Sequence, residues 1–156
     1  MRRRFLSLPL ILGSLVALVW AGPAGADSER RRPKHHDAVL RTKMTGGQEV
    51  PGPGDADGVG NALVHVGPGK SVCYRLVARN IEMPTAAHIH IGVRGEAGPI
   101  VVPLTGTWAA RDGAVFVLED CVEDSDARTI RAHPAGFYVN VHNAAFPGGA
   151  VRGQLP

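Results

Sequence analysis

Apolar and polar residues alternate over most of the chain between residues 38 and 155, as in β-strands that bury one face. The alternation predicts strands over residues 38–45, 60–66, 71–79, 86–91, 100–104, 114–118, 137–143 and 150–155. One short helical turn is predicted at residues 126–132, with Asp124 or Ser125 as its N-cap. The turn is expected to end ahead of Pro134. No long helices alternate with the strands. The sequence therefore predicts an all-β fold, an antiparallel sandwich or Greek-key barrel of seven or eight strands.

Two of the predicted strands carry histidines at alternating positions. In the segment Ala-His-Ile-His at residues 87–90, His88 and His90 project from one face and Ile89 from the other. In the strand 137–143, Tyr138, Asn140 and His142 share a face. Residues two apart on a strand lie about 7 Å apart on one face. The three imidazoles therefore converge if the two strands are neighbours.

The sequence leaves three roles open for converging imidazoles. They can bind a metal ion, since copper and zinc accept neutral imidazole nitrogens at about 2.0 Å. They can instead fasten loops over the sheet by hydrogen bonds to carbonyls or to carboxylates such as Glu49 and Glu96, or they can recognise an organic ligand. The sequence establishes no cofactor, and copper or zinc is the candidate. The metal hypothesis uses His88, His90 and His142, supported or loop-anchored by Gln48, Glu49, Asn140 and Arg152.

The N-terminus has the pattern of a secretory signal peptide over residues 1–26. A basic start at residues 2–4 precedes an apolar stretch, and Ala24-Gly25-Ala26 offers a cleavage site. Prolines and glycines shorten the apolar stretch below a membrane span of about 20 residues, which favours cleavage over an anchor. General and twin-arginine export both remain open. Residues 27–37 predict a disordered basic linker, and the domain is expected to occupy residues 38–156.

Charge and cysteine content narrow the function classes. The chain carries 17 Lys and Arg against 14 Asp and Glu, and three arginines fall in the acid-free signal, so the mature chain balances at 14 against 14. This balance gives no basis for a nucleic-acid partner. We expect a secreted monomer, without a membrane span after cleavage, and an unidentified extracellular or cell-envelope partner. Outside the cytoplasm, Cys73 and Cys121 predict a disulfide, with two buried free thiols as the alternative.

Four motifs in order resemble landmarks of the CHRD domain, a module named after chordin and common in secreted bacterial proteins. They lie at residues 45–51 (TGGQEVP), 87–90, 98–104 and, as one C-terminal signature, 136–143 with 149–155; the resemblance runs from about Val39 to Leu155. Asn143 and the pair Gly149-Ala150 depart slightly from the usual pattern. The resemblance implies an immunoglobulin-like β-sandwich distantly similar to Cu/Zn superoxide dismutase. It implies no settled molecular function.

Two functional hypotheses follow. The first is a non-catalytic binding or structural module at the cell envelope. The alternative is a copper- or zinc-binding protein. Dismutase chemistry is disfavoured because no histidine between Ile91 and Ala132 could supply a second, zinc-binding set. The chain also lacks a nucleophile elbow, a phosphate loop and a dinucleotide fingerprint, so we do not expect an enzyme.

Overall fold

The computed structural model describes residues 36–156. The predicted signal peptide and nearly all of the predicted linker lie outside the described residues. Within 36–156, no helix has the length and apolar character needed to cross a membrane.

Antiparallel strands make up nearly all of the regular structure. The strands are β1 (Ala38–Thr45), β2 (Val59–Val66), β3 (Ser71–Arg79), β4 (Pro84–Ile91), β5 (Ile100–Pro103), β6 (Ala109–Arg111), β7 (Val115–Glu123), β8 (Phe137–Asn143) and β9 (Val151–Gln154). They follow the order β5-β4-β8-β9-β1-β2-β3-β7-β6 in one sheet, which curls into a half-barrel. One short helix, α1 (Ala127–Ala132), and two 3-10 turns complete the described part.

The all-β, antiparallel prediction is confirmed, and residues 36–156 form nine strands where seven or eight were expected. The additional strand is β6, whose three residues are all exposed. A strand without a buried face has no apolar alternation to reveal it. The N-cap prediction for α1 was wrong: Asp126 occupies that position, and the Asp124 carboxylate accepts the backbone N–H of Asp126 at 2.8 Å.

Alternation along β1, β2, β3 and β7 places one side of the sheet in the core. Ala62, Leu76 and Leu118 lie side by side on three neighbouring strands, and all three are buried. Burying a side chain the size of leucine stabilises a fold by about 1.5–3 kcal/mol. The β2–β3 hairpin closes around residues 67–70, as the sequence predicted, where the N–H of Gly67 donates to the carbonyl of Ser71 at 3.0 Å.

The opposite side of the sheet carries polar residues. Cross-strand neighbours in an antiparallel pair share a face. Arg152 of β9 is paired with Thr45 of β1, so it lies on the side of β1 that also carries Lys43 and Arg41. The polar faces of β4, β8 and β9 and the outer face of β1 therefore belong to the same side of the sheet.

Candidate metal centre

The structure brings the three predicted histidines onto one face of two neighbouring strands. Strands β4 and β8 are paired, with His88 opposite Asn140 and His142 opposite Ala86. His90 lies two positions beyond His88 on the same strand. The sheet register thus joins imidazoles that are more than fifty residues apart in sequence.

The three rings are close enough to share one ion. One ligand nitrogen from each ring can be chosen so that all three lie within 4.8 Å of one another. His88 Nδ1 and His142 Nε2 are 3.1 Å apart. Two nitrogens bound tetrahedrally at about 2.05 Å from one ion would be about 3.4 Å apart. The observed separation is close to that value, and it also suits a hydrogen bond between neutral imidazoles.

Loop carbonyls orient two of the rings. His90 Nδ1 lies 2.9 Å from the carbonyl oxygen of Gly98, and His142 Nδ1 lies 3.0 Å from that of Pro147. A carbonyl only accepts, so each Nδ1 donates its proton and the neutral ring keeps a lone pair on Nε2. Metal-binding histidines commonly hold their second nitrogen in this way. Among the described residues, the buried Nε2 of His90 has no hydrogen-bond partner, which fits a ligand position.

Burial keeps the cluster neutral. Loss of solvent lowers the pKa of His88 to about 4, with the neighbouring His142 and His90 adding to the effect. Burial also lowers the pKa of His90 and of His142, although their carbonyl partners oppose it. Metal binding requires deprotonated imidazoles. The site therefore has the protonation state that a metal needs at neutral pH.

Tyr138 and Arg152 pack behind His90. The Tyr138 ring stacks on the His90 ring with the centroids 4.8 Å apart, and its hydroxyl accepts the backbone N–H of Gly98 at 3.1 Å. On the tyrosine ring lies the Arg152 guanidinium, with its carbon 3.4 Å from the centroid. Sequence reasoning did not assign Tyr138 to the site, although it alternates with Asn140 and His142 and therefore shares their face.

Three of the predicted supporting residues, Glu49, Asn140 and Arg152, are buried beside the histidines. The Glu49 carboxylate accepts from the Asn140 amide at 2.8 Å. Burial raises the pKa of Glu49 to about 7, against the opposing effects of the Asn140 hydrogen bond and the Arg152 charge. Arg152 donates to the carbonyl of Val93 at 3.0 Å. Of the two kinds of histidine partner that the sequence suggested, loop carbonyls are the ones present; His90 and His142 bond to the carbonyls of Gly98 and Pro147, not to the carboxylate of Glu49 or Glu96.

The Gln48 side chain connects two loops. Its amide donates to the backbone carbonyl of Lys43 at 3.1 Å, and its oxygen accepts from Arg94 at 3.1 Å. The contact between Gln48 and Arg94 ties the loop after β1 to the loop after β4. Gln154, which sequence reasoning missed, lies two residues from Arg152 and places its amide 2.9 Å from the carbonyl of Gly92.

Substitution of Gly98 tests the coupling between this loop and His90. A Cβ at Gly98 would overlap the backbone of Ile91, so the loop must shift and the carbonyl that orients His90 must move. We expect Gly98→Ala to lower the free energy of unfolding by about 1–2 kcal/mol, measured by urea denaturation. Gly136→Ala is the matched control, since a Cβ there meets no atom within 4 Å. Equal stability of the two variants would contradict the coupling.

Comparison with known proteins gives one finding. A family model described as the CHRD domain matches residues 40–155. No significant match was found among curated proteins or solved structures. The matched range covers nearly all of the described chain, including the three histidines and both cysteines.

Proposed function

We propose that this chain, which belongs to the CHRD domain family, is a non-catalytic module whose three-histidine cluster binds one copper or zinc ion. The observation that carries the proposal is the approach of ligand nitrogens from His88, His90 and His142 to within 4.8 Å of one another. Neutral imidazole suits both metals. Carbonyl contacts that orient two of the rings reduce the cost of ordering them on binding.

The proposal places the module outside the cytoplasm. The signal-peptide pattern of residues 1–26 supports export. Cys73 and Cys121 lie at disulfide-bonding distance, and such bonds persist in oxidising compartments. We further propose that the chain has an immunoglobulin-like sandwich related to that of superoxide dismutase, as the family resemblance implies, and that it acts as a monomer at the cell envelope.

Metal reconstitution tests the proposed function. The mature protein is incubated with copper or zinc, freed of excess ion and assayed by elemental analysis. We expect one ion per chain, and we expect His88→Ala, His90→Ala and His142→Ala each to reduce the content to background, because two imidazoles cannot replace a set of three.

His65→Ala is the matched control. His65 lies on the same sheet but pairs with Asp37 at 3.1 Å, remote from the cluster in the strand order. The His65→Ala variant should retain the wild-type metal content. Failure of the wild type to take up either metal would reject the metal site and leave the histidines with a loop-fastening role. Uptake that survives His142→Ala would place the ion elsewhere.

A further inference from the structure

Five cations lie on the polar side of the sheet, on strands other than β4 and β8, which carry the three-histidine cluster. Strand register places them on one face of β1, β3 and β6, where Arg41 lies opposite Leu63 and Leu63 opposite Arg75. Arg79 and Arg111 are both opposite Val115. We call this surface the basic face. It consists of Arg41, Lys43, Arg75, Arg79 and Arg111, all exposed.

Most of these charges have no acidic partner. Arg75 lies 3.3 Å from Glu119. Within residues 36–156, the other four cations have no carboxylate at ion-pair distance. Like charges on one sheet face repel each other, so these cations do not stabilise the fold by their mutual interactions. An anionic partner would compensate that repulsion.

Overall composition does not explain the basic face. The segment 36–156 contains ten Lys and Arg against twelve Asp and Glu. Half of the basic residues of a slightly acidic segment therefore lie on one face of the sheet. Several of its acidic residues lie between positions 119 and 126, around the end of β7 and the start of α1, and one of them, Glu119, is opposite Arg75 at the border of the basic face.

The basic face is hollowed rather than flat. Two neighbouring hollows of about 460 and 180 Å³ lie along it and share Lys43 and Asn61. A further hollow beyond Arg75 is lined by Glu119 and Asp120 and is not part of the proposed site. Arg41, Lys43 and Arg75 line the larger hollow, and Lys43 and Arg79 line the smaller one. Neighbouring strands lie about 5 Å apart, and same-face residues about 7 Å apart along a strand. A chain-like anion in the hollows would meet several cations in succession, whereas a flat lipid surface would reach only the rims.

We propose that the basic face binds an extended anionic polysaccharide, with its acidic groups contacting Arg41, Lys43 and Arg79. Charge complementarity carries the inference. The side chains between the cations, such as Leu63 and Val77, are aliphatic, and single-stranded nucleic acid needs aromatic platforms for its bases. This site is separate from the three-histidine cluster and does not depend on metal binding.

Binding of polygalacturonate, a uniformly carboxylated polysaccharide, tests the proposal. Titration calorimetry measures the affinity. We expect the mature protein to bind polygalacturonate at about 50 mM salt, to bind it much more weakly at about 200 mM salt, and not to bind neutral dextran. The double variant Arg41→Gln/Lys43→Gln should bind roughly tenfold more weakly. Lys70→Gln/Arg128→Gln removes the same charge types at exposed sites off this face and should bind like the wild type.

Four outcomes would overturn the proposal. Equal weakening by the control pair would show diffuse charge attraction without a site. Absence of binding to polygalacturonate would reject the polysaccharide, tighter binding to anionic vesicles would favour a lipid surface, and tighter binding to single-stranded DNA would favour nucleic acid. His142→Ala should leave polysaccharide binding unchanged. Failure of this site is thereby distinguishable from failure of the metal site.

Discussion

Replacing both cysteines by alanine is expected to lower the free energy of unfolding by about 4 kcal/mol. Cys73 and Cys121 lie directly opposite each other on β3 and β7, and their sulfurs are at disulfide-bonding distance across a sequence separation of 48 residues. The link removes from the unfolded chain the many conformations in which these residues are far apart. Its loss restores that entropy, which favours unfolding.

Urea denaturation of the oxidised wild type and of Cys73→Ala/Cys121→Ala measures this effect. Reductant should shift the wild-type curve close to that of the double variant. It should leave the variant's own curve unchanged, which controls for effects of the reductant itself. A difference below about 1 kcal/mol would contradict the loop-closure argument and show that the unfolded chain already holds these strands near each other.

Much of the fold is predictable because neighbouring strands in sequence also pair in space. Strands β1, β2 and β3 follow one another with clean alternation and short connections, so their boundaries and hairpin appear in the sequence. The neighbours β8, β9 and β1 bring together the two ends of the domain. Alternation predicts a buried face for each strand, but it does not state which distant strand lies beside it.

The sequence predicted which side chains form the candidate site, but not the backbone groups that orient them. Alternation placed His88 and His90 on one face, and residue type suggested His142 as their companion. The carbonyls of Gly98 and Pro147, which orient two of the rings, are backbone groups that every residue carries. No residue pattern can therefore point to them.

The supporting network shows the same limit at longer range. Glu49 and Asn140 are 91 residues apart and meet in a buried contact because the loop after β1 folds over β8. Every residue of β8 except His142 is buried, so polar side chains on its histidine side lose solvent as the loop covers them. Burial of a carboxyl favours its neutral form. The loop that completes this face therefore makes stability depend on pH.

Glu49→Gln is expected to remove that dependence. The pKa of Glu49 is raised from 4.5 to about 7 in the folded protein, so between these values the folded state keeps a proton that the unfolded state releases. Rising pH therefore favours unfolding through this window, and the loss is complete above the folded pKa. The shift corresponds to a loss of about 2–3 kcal/mol between pH 5 and pH 8. Glutamine has no charge to bury and can still accept from Asn140.

Urea denaturation of metal-free protein from about pH 5 to about pH 8 measures the difference between variant and wild type. Glu49→Gln should be nearly as stable as the wild type at the acidic end and about 2 kcal/mol more stable at the alkaline end. The histidines, whose lowered pKa values act in the opposite direction on acidification, are present in both proteins and cancel in this difference. Glu96→Gln makes the same change at an exposed loop position and should not alter the slope. A Glu49→Gln protein that is less stable throughout would mean that the carboxylate charge stabilises buried Arg152 by more than its own burial costs.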